Sequence, residues 1–395
     1  MIIAPRIRGF ICTTAHPAGC AANVHEQVGL VRSQAPLSSN ARNVLVVGAS
    51  GGYGLASRIA AAFGGGAATL GVSFERQPTA TRTATAGWYN NIAFEEAAKA
   101  QGLYATTLDG DAFSDEMKGT VTERIRSDMG EIDLLIYSLA SPVRQHPRNG
   151  QRYRSSIKPL GETVHIKTVN VEKGDVHEVD LAPASEEEAA STVAVMGGED
   201  WEMWVDALAE AGLMAKGFRT VSYNYLGSEL TWPIYRNGTL GRAKEDLDRA
   251  AKALMARLAN LPGEARVVTL KAIVSQASSA IPVVPLYTSL LFRVMKDARV
   301  HEEIIEHIHR LFATQLADGA RMNLDEQGRI RMDDWELADD IQEEVRRRWS
   351  LVTSENLAQL GDLEGVRADF LKIFGFGLDG VDYSTDQDPA LGRMV

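Results

Sequence analysis

The chain has 395 residues, 45% of them hydrophobic and 24% charged, and a formal net charge of −11. That is ample material for a buried core, and the acidic balance argues against nonspecific nucleic-acid binding, which depends on basic surface. No apolar run reaches the roughly 18 residues of a membrane span, and Met1-Ile-Ile-Ala-Pro-Arg lacks the apolar core of a signal peptide, so the chain reads as cytoplasmic.

Pro5, Pro17, Gly19 and Pro36 punctuate the first 40 residues, where Ile7, Phe10 and Ile11 can add a short strand. Cys12, His16 and Cys20 make no disulfide framework and fit no common zinc spacing. No metal is expected there, only an ordered segment with reduced thiols.

Val44-Leu-Val-Val is an unbroken apolar run, as a buried parallel strand requires. It leads into Gly48-Ala49-Ser50-Gly51-Gly52-Tyr53-Gly54 and then an amphipathic pattern over about 53–63. Strand, glycine turn and helix in this order make a pyrophosphate cradle: missing Cβ atoms let backbone amides approach the anion, and the helix presents free N–H groups and the positive end of its dipole. The spacing is G-x-x-x-G-x-G rather than G-x-G-x-x-G, and resembles the turn of the short-chain dehydrogenase/reductase superfamily. A second strand, 67–74, ends at Phe74 and Glu75. A carboxylate there accepts from the adenosine ribose hydroxyls and repels a 2′-phosphate, which predicts NADH preference; the neighbouring Arg76 offers the opposite choice.

A helix from about 90 and a strand at 103–108 follow, then Asp109-Gly-Asp111-Ala112, which is either an adenine contact or ordinary loop chemistry. A helix at 114–129 leads to a fourth strand, Ile132-Asp-Leu-Leu-Ile-Tyr, after which Leu139 and Ala140 are placed beside the cofactor. Four βα units imply a Rossmann-type doubly wound parallel sheet with helices on both faces and its ligand at the carboxyl ends of the strands.

Between about 142 and 200 the alternation breaks. Two rough period-2 runs around a glycine turn, 163–171 and 176–181, predict a β-hairpin insertion capping the site within one domain spanning 1–395. Its approach carries Arg144, Arg148, Arg152, Arg154 and Lys158, a solvated basic loop or a phosphate contact. Beyond it come a helix at 201, a fifth strand at 218–225, a helix to about 260 and a sixth strand at 265–274 ending in Ser275. Pro282 and Pro285 mark an extended loop before a helical C-terminal part, in which His307 and His309 read as solvated.

Tyr235 and Lys244 are the candidate catalytic pair. A nearby ammonium would lower the phenol pKa while donating to a cofactor ribose. Nine residues of continuous helix rotate about 900° and would put the two on opposite faces. Tyr235 is therefore expected before the helix, on a flexible approach loop, with Thr239 capping and Lys244 in the second turn.

At these residues the chain resembles the FabV-type trans-2-enoyl-ACP/CoA reductases. The resemblance runs through Arg8-Gly-Phe-Ile-Cys-Thr-Thr-Ala-His-Pro-Ala-Gly-Cys20, the turn Gly48–Gly54, Thr231-Trp-Pro-Ile-Tyr-Arg-Asn-Gly-Thr-Leu-Gly-Arg-Ala-Lys244 and Phe374-Gly-Phe-Gly-Leu-Asp-Gly-Val-Asp-Tyr383. It implies a monomer that reduces the C2=C3 bond of enoyl-ACP or enoyl-CoA with NADH, yielding NAD+, in fatty acid biosynthesis. It places Gly48, Ala49, Ser50, Gly51, Gly52, Tyr53, Phe74, Glu75, Asp111, Ala112, Leu139, Ala140, Lys244, Ile273, Val274 and Ser275 on the cofactor, Tyr225 on the substrate, and Tyr235 as proton donor. A short-chain-type carbonyl reductase and a non-catalytic NADH sensor are the rival readings.

Overall fold

Strands whose residues are apolar on both sides must be covered on both faces, and the central strands here meet that demand by alternation. The computed structural model describes residues 1–390 except Phe10 and Pro262; the part of Phe10 in the short N-terminal strand thus lies outside the described residues. Seven parallel strands, β1 (Asn43–Val47), β2 (Ala68–Ser73), β3 (Ala105–Asp109), β4 (Ile132–Tyr137), β5 (Met214–Asn224), β6 (Glu264–Thr269) and β7 (Ile330–Arg331), lie in the order β3-β2-β1-β4-β5-β6-β7. The order reverses between β1 and β4, where Val47 is level with Val72 and Tyr137. A crevice opens beyond the carboxyl ends of the strands at such a switch point.

The helices of two turns or more are α1 (Pro17–Ser33), α2 (Gly52–Ile59), α3 (Ala86–Ala100), α4 (Asp115–Asp128), α5 (Glu186–Met196), α6 (Glu199–Glu210), α7 (Thr239–Leu258), α8 (Val284–Asp297), α9 (Ile304–Thr314), α10 (Asp339–Leu351) and α11 (Leu363–Ile373). Val44, Val46, Leu134 and Ile136 pack beneath α1, α2, α3 and α9, whereas Leu45, Val47, Leu135 and Tyr137 pack beneath α4, α6 and α7. A third cluster joins α8, α10 and α11 to the N-terminal segment through Leu286, Leu290, Val345, Phe370 and Cys20.

Several expectations are corrected. The sixth strand stops at Thr269, because the chain then leaves the sheet and Lys271, Ile273, Val274 and Ser275 line the crevice. Pro285 belongs to the first turn of α8, a position where its missing N–H costs nothing. His307 is wholly buried, with Nδ1 2.9 Å from Glu302 Oε2; a histidine on an apolar helical stripe found a carboxylate rather than water. Strand β7 was not expected, since two residues carry no periodicity. It exists because Ile330 and Arg331 pair with Val268 and Thr269.

The hairpin Val164–Asn170 and Asp175–Leu181 forms with Ile166 inward. Lys167 Nζ donates to the Trp349 carbonyl at 2.9 Å, and Arg367 Nε to that of Val171 at 2.7 Å, tying the hairpin to the C-terminal helices. Of the basic approach, Arg144 is no surface group. It is buried, with Nη1 2.8 Å from Glu199 Oε2 and 2.7 Å from the Ala194 carbonyl.

Beneath the β4 end, Lys118 Nζ donates to Asp200 Oδ1 at 2.8 Å and to the Ala112 and Phe113 carbonyls at 3.1 and 3.0 Å. Tyr137 donates to Asp200 Oδ2 at 3.0 Å. Removing one partner of a buried pair strands the other charge. Lys118→Met is therefore expected to cost about 3 kcal/mol of folding stability, read by urea unfolding; a loss of under about 1 kcal/mol would show that Tyr137 and Arg144 suffice for Asp200.

Candidate active site

The glycine turn divides into two kinds of glycine. Gly48 has φ +86° and its missing Cβ would overlap the Ser138 carbonyl, while a Cβ on Gly54 would overlap the Gly48 carbonyl. Those two are required by the chain's own packing. A Cβ on Gly51 or Gly52 would meet nothing within 4 Å, and Gly51 has an ordinary extended φ of −162°. Gly51 is thus not demanded by strain or by protein contact; open space for a ligand explains it. Gly51 also caps α2, which has no side-chain cap and no acidic residue in its first turn, leaving its N–H groups free for a pyrophosphate.

These residues line a cavity of about 1520 Å³ that runs along the strand ends. Gly48, Ser50, Gly51, Gly52, Tyr53, Phe74, Glu75, Asp111, Ala112, Leu139, Ala140, Ile273, Val274 and Ser275 all stand on its wall. Ala49 is fully buried behind the turn, its N–H donating to the Val72 carbonyl at 3.0 Å. At one end Phe74 is 77% exposed, an apolar ring with no protein to cover it. Glu75 beside it accepts from Ser50 Oγ at 2.5 Å, and its N–H donates to Asp109 Oδ1 at 2.7 Å. Burial pushes the Glu75 carboxyl up, against the Ser50 hydrogen bond. Asp111 Oδ1 accepts the Phe113 N–H at 3.0 Å, so Asp111 does loop work while facing the cavity.

At the other end, Ser278 Oγ takes the Ser275 N–H and donates to the Ile273 carbonyl, both at 2.8 Å, which fixes the 273–275 wall. Tyr53 donates to the Lys271 carbonyl at 2.6 Å, and buried Lys271 Nζ donates to the Glu302 carbonyl at 2.7 Å.

Tyr235 lies before α7, as the spacing requires, in a run of hydrogen-bonded turns: its N–H donates to the Thr231 carbonyl at 3.0 Å and its carbonyl accepts from Gly241 at 2.9 Å. Thr239 is not the cap; Gly238 is, and Thr239 is the first helical residue with its N–H on the Lys158 carbonyl. A Cβ on Gly238 would crowd the Ile234 and Lys158 carbonyls, leaving no room for a capping side chain. Tyr235 meets Tyr225 edge to face, centroids 5.1 Å apart. It packs with Ile166 of the hairpin, Leu240 and Val283, and Ile157 and Met196 connect this cluster to the cavity wall. Tyr225, Tyr235 and Lys244 themselves are not among the residues that line it.

The electrostatic expectation for the pair is reversed. Burial pushes the Tyr235 phenol up, and it lowers the half-buried Lys244 to about 8 against the pull of Asp248. The phenol therefore stays protonated, and the lysine is the group that titrates near neutrality. The hydroxyl of Tyr225, which the resemblance places on the substrate, donates to Glu336 Oε1 at 2.9 Å.

Glu336, absent from the sequence reading, organises this end. Wholly buried, it accepts from Tyr225, from Tyr287 at 2.8 Å and from the Ala272 N–H at 2.5 Å. In Met332-Asp-Asp-Trp-Glu336 nothing local separates the buried Asp333 and Glu336 from the exposed Asp334. Among the described residues no cluster of histidine, cysteine, aspartate and glutamate could hold a metal, and no helix is long and apolar enough to cross a membrane.

Comparison with known proteins matches residues 2–80 to the NAD(P)H binding domain of trans-2-enoyl-CoA reductase, 82–317 to the trans-2-enoyl-CoA reductase catalytic region, and 324–386 to an enoyl reductase FAD binding domain. The enoyl-[acyl-carrier-protein] reductase [NADH] of Tolumonas auensis is 54% identical over 395 residues, 100% of this chain and 99% of that protein. The FabV enzyme of Aeromonas salmonicida is 53% identical over 98% of each. The crystal structure of Clostridium acetobutulicum trans-2-enoyl-CoA reductase with NADH superposes with a TM-score of 0.96 at 42% identity, covering 100% of this chain and 99% of that one. The Treponema denticola enzyme with NAD gives 0.95 at 47%, covering 100% of each.

A flavin dinucleotide finds no cradle in 324–386. Helix α10 opens on Asp339 and Asp340, and at the head of α11 Asp362 Oδ1 already takes the Gly365 N–H at 3.0 Å beside Glu364. Carboxylates at both helix starts oppose a pyrophosphate, so these residues do not fit the group, whereas the bare start of α2 fits a nicotinamide dinucleotide.

Proposed function

Because the chain belongs to the FabV-type trans-2-enoyl-ACP/CoA reductase family, we propose that its residues divide the reduction between a cofactor cradle at α2 and a proton donor at the head of α7. The protein is an NADH-dependent oxidoreductase of fatty acid biosynthesis that reduces the C2=C3 bond of trans-2-enoyl thioesters. The main support for the division is Gly51, which faces open space in ordinary extended backbone at an uncapped helix start. NADH supplies hydride to C3.

The chain's own residues do the rest. The Gly48–Tyr53 turn and the α2 amides hold the pyrophosphate, Phe74 stacks on the adenine, and Glu75 accepts from the ribose hydroxyls, with Asp111, Ala112, Leu139 and Ala140 along the nucleoside. Ile273, Val274 and Ser275 flank the nicotinamide side. Negative charge then collects on the thioester oxygen, and the Tyr235 hydroxyl donates to it and delivers its proton. Lys244 holds the ribose and adds positive charge. Tyr225 offers the substrate its ring, because its own hydroxyl donates to Glu336. We further read 1–395 as one Rossmann-type domain with the 142–200 segment as its cap, acting as a monomer in the cytoplasm.

The test is substrate-dependent NADH oxidation by the purified protein: crotonyl-CoA is consumed, whereas a 3-ketoacyl-CoA is not. The reverse selectivity would restore the carbonyl-reductase reading, and cofactor binding without turnover the sensor. The Glu75 role gives its own prediction. Glu75→Ala should erode the preference for NADH over NADPH about tenfold or more, since a like charge facing a 2′-phosphate is worth several kcal/mol. Equal preference ratios in the variant and the parent would remove Glu75 from the ribose.

A further inference from the structure

We propose that Arg152 and Arg154 form a subsite for the phosphate of the phosphopantetheine arm that carries the enoyl thioester; the proposal rests on the reductase reading above. Val143–Gln145 and Arg152–Arg154 make a two-stranded antiparallel ribbon, with Gln145 opposite Arg152 and Val143 opposite Arg154. Side chains alternate along a strand, so Val143, Gln145, Arg152 and Arg154 share one face and Arg144 and Tyr153 the other. The first three of that set line the cavity, and Arg154 stands on the same face, exposed like Arg152.

The opposite face anchors the ribbon. Arg144 and His146 both engage Glu199, at 2.8 and 3.2 Å, and the Arg154 backbone is clasped by Ser191, which donates to its carbonyl and accepts its N–H. Of the carboxylates on the helices behind the ribbon, Glu186 pairs with Arg242, Glu188 with Lys158 and Glu199 with Arg144, and Glu187 has no ion-pair partner among the described residues. Among the described residues Arg152 and Arg154 enter no ion pair. Two uncompensated guanidinium groups at the rim of a cavity, in a chain of net charge −11, suit a phosphate, which arginine binds in bidentate fashion.

The position selects the carrier's phosphate over the cofactor's. Ile157 and Met196, just beyond the ribbon, lie on the cavity wall and also against the Tyr235 cluster, so this rim leads to Tyr235. A thioester reaching Tyr235 past them leaves its phosphate end at the ribbon. The dinucleotide's phosphates belong instead to the α2 start.

The experiment compares kcat/KM for crotonyl-CoA, crotonyl-ACP and crotonyl-pantetheine, which lacks the phosphate, in the full-length enzyme and in Arg152→Ala/Arg154→Ala. The parent should prefer the phosphate-bearing substrates, and the double substitution should shrink that preference about tenfold, through KM. Lysine at both positions should restore part of it. A collapse for CoA alone, for ACP alone or for both supports the subsite and names the carrier it serves. An unchanged preference ratio overturns it. A parent enzyme that reduces none of the three overturns the reductase reading itself, a result distinct from the failure of the subsite.

Discussion

Tyr235→Phe is expected to slow single-turnover reduction of crotonyl-CoA about 10³-fold, the scale of a lost proton donor or oxyanion donor, while NADH binds as before. The substitution is well isolated. Phenylalanine keeps the edge-to-face contact with Tyr225 and the packing against Ile166, Leu240 and Val283, so folding should change little. Only the hydroxyl goes. Among the described residues no hydrogen bond occupies that hydroxyl, whereas those of Tyr225 and Tyr287 are both committed to Glu336. Of the three phenols only Tyr235 has its proton available, and burial keeps it on the oxygen. Rapid-mixing measurements at saturating NADH read the chemical step. Near-parental rates would remove Tyr235 from the chemistry.

What could be read from the sequence follows from how far each feature depends on neighbours in the chain. Strands β1 and β4 are covered on both faces, and that shows as the apolar runs Val44–Val47 and Leu134–Tyr137. The glycine turn and the Tyr235-to-Lys244 interval are local geometry, so the placement of Tyr235 before α7 could be deduced by counting residues. Features made by distant contacts could not. His307 meets the Lys271 backbone 36 residues upstream, Glu336 is buried by tyrosines about 50 and 110 residues upstream, and β7 is held by a strand some 60 residues earlier. The pKa expectation failed for the same reason. It counted the charge of a lysine nearby in sequence and could not count the desolvation imposed by a hairpin folded over from residues 164–181. Arg144 repeats the lesson: five basic residues in a row of turns look alike until one strand face turns toward Glu199 and the other toward the cavity.

Lys244→Met should lower kcat/KM for crotonyl-CoA roughly 10²–10³-fold and weaken NADH binding, and its pH signature separates this role from a structural one. Burial holds the Lys244 ammonium near a pKa of about 8. Below that pH the side chain is charged and can hold the ribose and support the Tyr235 oxygen; above it the charge is lost. Parental kcat/KM should therefore fall as pH rises through about 8, and the variant's low activity should show no such fall. Stability runs the other way. An unfolded lysine titrates near about 10.4, so between about 8 and 10.4 the unfolded chain binds more protons than the folded one, and this group's contribution raises folding stability with pH. Activity and stability should thus diverge over one pH window, and the divergence should vanish in Lys244→Met. If the parent keeps its activity to pH 9.5, or the variant shows the same alkaline fall, the titrating group is not Lys244.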